Sequence, residues 1–152
     1  MASRRSALAL TVLLAAGIAS GDTAADSAAM SSPPEPEAVV QAQLDAYNAH
    51  DVDAFVATYA EDIQLFEHPA KLLAAGHAQL RERYAPRFKD SLLHAVVVKR
   101  IVMGSIVIDE EKVVRTFPEG AGTLRAVAIY EVQAGKIAKA WLILGSRVLD
   151  PK

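Results

Sequence analysis

The residue best suited to proton chemistry is His68, which stands directly before Pro69 at the end of a short β-type run, Ile63–Phe66. An imidazole titrates near neutrality and can take or give a proton. Proline cannot donate to a sheet ladder, so the chain must turn away at Pro69. Glu67 places a carboxylate beside the imidazole, but consecutive residues of a regular strand face opposite ways, so the two need not act together. The competing reading is a histidine with no catalytic role, since position alone is weak evidence of function.

Arg115 and Asp109 come next. Arg115 lies among Val113, Val114 and Phe117, where a guanidinium could hold a carboxylate bidentately; the simpler reading is an edge residue whose stem is buried and whose charge reaches water. Asp109 could be an acid or a polar pocket contact, but Glu110, Glu111 and Lys112 follow it, which favours a solvated turn. Tyr47, Tyr59, Tyr84 and Tyr130 read as core or pocket wall. Tyr130 shares a strand face with Ala126 and Ala128, two small residues that leave room for its hydroxyl to project into a cavity. His50, His77 and His94 read as turn, cap and strand-surface residues. No two histidines have the spacing of a local metal motif, and there is no glycine-rich phosphate loop. Neither a metal nor any other cofactor is expected.

These residues need elements to position them. Pro36 and Glu37 suit a helix start, and Val40, Leu44 and Tyr47 then recur at helical spacing. Asp51 is a good N-cap for a second helix carrying Val52, Phe55, Val56 and Tyr59 on one face. Gly76 precedes a third helix with Leu80 and Tyr84, ended by Pro86. From Leu92 the period becomes strand-like. Leu92–Met103 and Ile106–Phe117 flank a turn at Gly104-Ser105, and the charged run Asp109–Lys112 is expected to be a bulge or an edge. After a loop at Pro118–Gly122, Thr123–Val132 alternates. Leu124, Ala126, Ala128, Tyr130 and Val132 lie on one face. A turn at Gln133-Ala134-Gly135 leads into Lys136–Leu144. Helices first and antiparallel strands after argue for an α+β fold.

The 152 residues carry a formal net charge of -2 and no cysteine. That leaves no basic footprint for nucleic acid and rules out disulfides, thiolate nucleophiles and zinc–thiolate sites. Arg4 and Arg5, the apolar run Ala7–Ala19 and the small residues Ala19-Ser20-Gly21 have the pattern of a signal peptide, taken as residues 1–21. The run is short for a membrane span, although an uncleaved anchor is the alternative. Export, with no membrane contact after cleavage, is the expectation. Residues 22–36, rich in Ala, Ser, Pro and acid, read as a disordered linker. The domain is taken as 37–147 and the tail as 148–152.

Three stretches sharpen the picture: Leu44-Asp45-Ala46-Tyr47-Asn48-Ala49-His50-Asp51-Val52-Asp53-Ala54-Phe55 running into Tyr59-Ala60-Glu61-Asp62; Gly76-His77-Ala78-Gln79-Leu80-Arg81-Glu82-Arg83-Tyr84; and Ile129-Tyr130-Glu131-Val132 with Gly135-Lys136-Ile137. Together they resemble the SnoaL-like and ketosteroid-isomerase-like families of the nuclear-transport-factor-2-like superfamily. The resemblance implies a cone, in which three N-terminal helices pack on a strongly curved, mostly antiparallel sheet that encloses a pocket. It implies that the turn at His68 forms the pocket mouth. It also implies a homodimer through the outer sheet face, where Val127, Ile129, Trp141 and Ile143 form an apolar patch. The ketosteroid isomerases carry a carboxylate base before a proline and two oxyanion donors; here His68 precedes the proline, and Gln43 and Ala128 stand where the donors would be, so steroid isomerisation is not expected. What the family does is not implied by its fold. Two expectations stand: a pocket for a small, mostly apolar organic molecule with cofactor-independent acid/base activity, His68 catalytic and Glu67, Tyr47, Tyr130, Arg115 and Asp109 contacting the ligand; or a non-catalytic interaction or scaffold domain.

Overall fold

The computed structural model describes residues 32–151. The expected signal peptide and residues 22–31 of the expected linker lie outside them. Helix α1, Pro36–Asn48, opens with proline in its first turn and the Glu37 carboxylate at the positive end of its dipole. Helix α2, Val52–Ala57, is capped by Asp51, whose carboxylate accepts from the N–H groups of Asp53 (3.0 Å) and Ala54 (2.9 Å). Such a cap is worth ~1 kcal/mol. The helix stops at Ala57, so Tyr59 is buried as the first residue of a strand and not as a continuation of the helical face.

Strand β1 is Tyr59–Glu67 and β2 is Lys71–Ala75. Helix α3, Gly76–Tyr84, follows directly, and a 3₁₀ turn at Arg87–Lys89 comes after Pro86. Four long strands complete the chain: β3 His94–Met103, β4 Ile106–Phe117, β5 Gly120–Gln133 and β6 Lys136–Leu149. β6 therefore takes in Val148 and Leu149, two residues of the expected tail. All six strands form one sheet in the order β2-β1-β6-β5-β4-β3, with only β1–β6 parallel. The architecture is α+β, with the helices on one face of the sheet.

Alternation sorts the strands. Ala126, Ala128, Tyr130 and Val132 of β5 are buried on the inner, helix-covered face, and Val107, Asp109 and Val113 of β4 lie beside them. An aromatic cluster joins helices to sheet. Phe55, fully buried, lies 4.6 Å from Tyr84, 5.1 Å from Tyr59 and 5.3 Å from Phe88 between ring centroids. Burial of a ring of this size stabilises by ~1.5–3 kcal/mol. Asn48 fastens the end of α1 to β3: its side chain accepts from the Ala95 N–H (2.8 Å) and donates to the Ala95 carbonyl (2.9 Å). The β5–β6 turn uses left-handed backbone at Ala134 (φ 48°) and Gly135 (φ 74°), which suits a two-residue hairpin. Pro34, part of the expected linker, lies so close to Gly135 that a Cβ there would meet it at 2.8 Å.

The charged run Asp109–Lys112 is neither an edge nor a bulge. β4 is an interior strand in unbroken register with β5 from Ile106 to Phe117, and the irregularity lies across from it, between Val97 and Lys99 of β3. The charges are accommodated because each has a place. Glu110 faces out and pairs with Arg125, while Asp109 faces in and pairs with Arg100.

Candidate functional site

The inner face of the sheet, α1 and the end of α3 enclose a cavity of about 70 Å³. Helix α1 contributes Gln43, Leu44 and Tyr47, and Tyr84 and Arg87 come from α3 and the turn after it. From β4 come Glu111, Val113 and Arg115; from β5, Leu124, Ala126 and Tyr130; from β6, Leu142 and Leu144. Glu111 reaches this space because β4 alternates: positions 107, 109, 111, 113 and 115 share the inner face. Across from Glu111 stands Ala126, and across from Asp109 stands Ala128, so small side chains make room for two carboxyl groups.

Glu111 is the most perturbed acid of the cavity. Burial pushes its carboxyl up to about 7, the neighbouring Asp109 carboxylate adds to the rise, and the Tyr130 hydroxyl and Arg100 oppose it. The Tyr130 hydroxyl donates to Glu111 Oε1 over 3.4 Å. Burial raises the Tyr130, Tyr47, Tyr84 and Tyr59 hydroxyls above the usual phenol range, so all four are protonated donors at neutral pH. A carboxyl that is half-ionised near pH 7 beside a protonated phenol can accept or deliver a proton, and such matching of pKa to working pH is what general acid–base catalysis needs.

Asp109 is 1% exposed, where a solvated turn was expected. Arg100 grips it with two bonds of 2.7 Å, Nε to Oδ1 and Nη2 to Oδ2. The same guanidinium donates to Gln41 Oε1 at 3.0 Å and lies 4.0 Å from Glu37. Asp109 thus lies behind Glu111 and is not among the residues lining the cavity; it contributes charge, not contact.

Of the residues singled out from the sequence, Tyr47, Tyr130 and Arg115 come together at the cavity. The Arg115 Nε is buried with no hydrogen-bond partner, and its guanidinium carbon lies 4.6 Å from the centre of the Phe117 ring. His68 does not join them. It is exposed at the β1–β2 turn, and its N–H donates to the Leu142 carbonyl at 2.9 Å. Glu67 is half-buried on the inner side of β1, in register with Leu142, and lies 3.6 Å from Lys71. Gln43 is buried and faces the Tyr59 hydroxyl. On the outer face Val127 stands opposite Ile143 and Ile129 opposite Trp141.

Glu111 and Arg100 were missed. A signal was there: a two-residue turn at Gly104-Ser105 places Arg100 opposite Asp109 and Lys99 opposite Glu110, and both pairs are of opposite charge. Opposite charges on facing strands support pairing, and Glu111 then falls inward by parity.

Comparison with known proteins places the fold. A crystal structure described as an uncharacterized cystatin fold protein from Novosphingobium aromaticivorans is similar with a TM-score of 0.67 at 23% identity, over 72% of this chain and 98% of that one. The epoxide hydrolase/cyclase-like enzyme SalBIII of pyran ring formation in polyether salinomycin is similar at 0.65 and 19% identity, over 72% and 90%. An LEH-like epoxide hydrolase of M. tuberculosis is similar at 0.61 and 14%, over 72% and 82%. No curated protein matches the chain in sequence. The profile of the SnoaL-like domain matches residues 40–140, a span that holds most of α1, the rest of the helical layer and every cavity-lining residue except Leu142 and Leu144. The chain belongs to the SnoaL-like domain family.

Proposed function

We propose that the inner-face cavity binds a small, largely apolar organic molecule and that Glu111, with Tyr130 as its hydrogen-bond donor, moves a proton to or from it without a cofactor. The observation that carries this is the placement of a carboxyl with a pKa of about 7 on the wall of a cavity whose other polar groups are phenols, Gln43 and arginines. Isomerase, lyase and hydrolase chemistry are all within reach of such a group. The hydrolase option has support in the likeness to two epoxide hydrolase-type proteins: a carboxylate that takes a proton from water makes the nucleophile that attacks an epoxide carbon, the C–O bond there breaks, and the freed oxygen takes a proton from a cavity phenol or from water. His68, exposed and off the cavity, is given no part in this step.

The test is mass spectrometry of small molecules retained by the purified protein, followed by binding and turnover of what is found across pH 5–9 with wild-type and Glu111→Gln protein. Turnover governed by one group near pH 7 and lost in the variant upholds the reading. The second reading, a non-catalytic binding domain, draws on Ala128, which offers no donor, and Gln43, which faces Tyr59. Retention of a ligand that neither protein transforms would favour it. A homodimer is part of the proposal. Phe66, Trp141, Ile129, Ile108 and Ile101 stand in one cross-strand row on the outer face, and an apolar row of that length calls for a cover, which a second copy supplies.

A further inference from the structure

We propose that the ligand of this cavity is an organic anion, a carboxylate whose charged end docks on an arginine cluster beside the cavity while its apolar body lies within. The inference rests on the cavity being a ligand site and names the class of ligand it takes.

Arg83, Arg87, Arg115 and Arg147 line one depression of about 170 Å³. It is continuous with the inner cavity: Arg87, Arg115, Leu124, Leu142 and Leu144 line both. The chain as a whole is slightly acidic, with a net charge of -2, so four guanidinium groups around one hollow do not follow from composition. Three of the four have no ion-pair partner among the described residues: Arg147 pairs with Glu119 at 3.2 Å, and no carboxylate forms an ion pair with Arg83, Arg87 or Arg115. The acids nearby act on Arg83 and Arg115 through space only: Glu67 lies with Lys71, and Asp90 accepts from the Thr116 N–H (2.6 Å), the Thr116 hydroxyl (3.0 Å) and the Leu92 N–H (3.1 Å).

Two of these arginines, half-buried and without an ion pair, also have one guanidinium nitrogen shut off from water. The Nε atoms of Arg83 and Arg115 are buried with no hydrogen-bond partner, a condition rare enough in native proteins to need a cause. Burial, with Arg87 as a like-charged neighbour, lowers the pKa of both, which means that each charge is held at a cost an anion would remove. Three of the four guanidinium groups lie over aromatic rings. Arg115 and Arg147 lie 4.6 and 5.2 Å from the Phe117 centroid, and Arg87 lies 5.1 Å from that of Tyr84. A stacked guanidinium keeps its N–H edge free for bidentate recognition of a planar carboxylate. Leu124, Leu142 and Leu144 carry the path from this edge into the cavity, which suits an apolar body attached to the acid.

The probes are a matched pair, 3-phenylpropanoate and 3-phenylpropanamide, with inorganic phosphate as a third. Binding is followed by NMR at the arginine Nε–Hε and tyrosine ring resonances. The acid is expected to bind at least about tenfold more tightly than the amide, shifting the Arg115 and Arg83 Nε–Hε signals together with Tyr130. Arg115→Gln is expected to remove the preference for the acid over the amide. Arg83→Gln should weaken the acid in the same direction, and Arg115→Lys, which keeps the charge without the fork, should retain part of the preference; these two carry the test if Arg115→Gln does not fold. Equal affinity for acid and amide would overturn the anion site and leave the ligand pocket standing. Acid that shifts the arginines but not Tyr130 would uphold the anion site and refute the cavity as its partner. Tighter binding of phosphate than of the acid, acid binding that survives both Gln variants, or no saturable binding at millimolar concentration would each overturn the proposal.

Discussion

Replacing Glu111 by Gln tests the electrostatics of the cavity without a substrate. The native carboxyl titrates at about 7 and the unfolded one at its ordinary 4.5. Below about 4.5 both states hold the proton, and the group's contribution does not change with pH. Between 4.5 and 7 the unfolded chain releases the proton while the native state keeps it, so native stability falls as pH rises. Above 7 both are ionised and the loss is complete. At ~1.4 kcal/mol for each tenfold change, the full loss is ~3 kcal/mol. Gln keeps the size and the hydrogen-bonding capacity but cannot ionise. The stability of the variant minus that of wild type should therefore rise by ~3 kcal/mol between pH 4.5 and 8, the other acids cancelling in the difference. Urea unfolding at a series of pH values measures it, with Trp141 as the single tryptophan reporter. A difference that stays flat across this range would show that the Glu111 carboxyl is solvated and would remove it as the acid/base group.

Three further outcomes are expected. Asp109→Ala leaves the Arg100 guanidinium, 14% exposed, without its partner and should cost ~3–5 kcal/mol in urea unfolding; it should also lower the pKa of Glu111, since the Asp109 charge helps to raise it, a shift readable by carboxyl ¹³C NMR. Asn48→Ala removes both bonds to the Ala95 backbone and should cost ~1–3 kcal/mol, with faster amide exchange at the start of β3 as the local signature. Ile129→Lys puts a charge in the middle of the outer apolar row and should give a monomer by sedimentation equilibrium where wild type is a dimer; a wild-type monomer at micromolar concentration would refute the dimer.

What could be read from the sequence followed from local physics. Asp51 as a cap, the parity of β5 and the turn at Ala134-Gly135 depend on residues within a few positions of each other, and each is found where expected. Strand β2 was not recognised because Lys71–Ala75 lacks alternation and is made of helix formers; its strand conformation comes from pairing with β1. The charged stretch of β4 failed for a related reason. Four consecutive charges resemble a turn until the partner strands are known, and then two of them point outward and two inward. Glu111 was hidden by this. The focus on His68 came from its place before a proline, but the chain at that point leaves the cavity wall, and the side chain goes with it into solvent.

The parallel pairing of β1 with β6 has a consequence for how the domain is made. Glu67 pairs with Leu142, about 75 residues later in the chain, and the closure of so long a loop must precede any gain from the contact. The hairpins β3–β4 and β4–β5 can form as they leave the ribosome. Helix α1 can already pack on β3–β5, but the β1–β2 hairpin has no strand of that sheet to join until β6 is complete. A nascent chain stopped before residue 136 would carry a two-stranded hairpin and a three-stranded sheet with no strand between them, and two-stranded hairpins alone are marginal in water. Folding of this domain is therefore expected to be cooperative, decided once β6 is in place and not accumulated along the way.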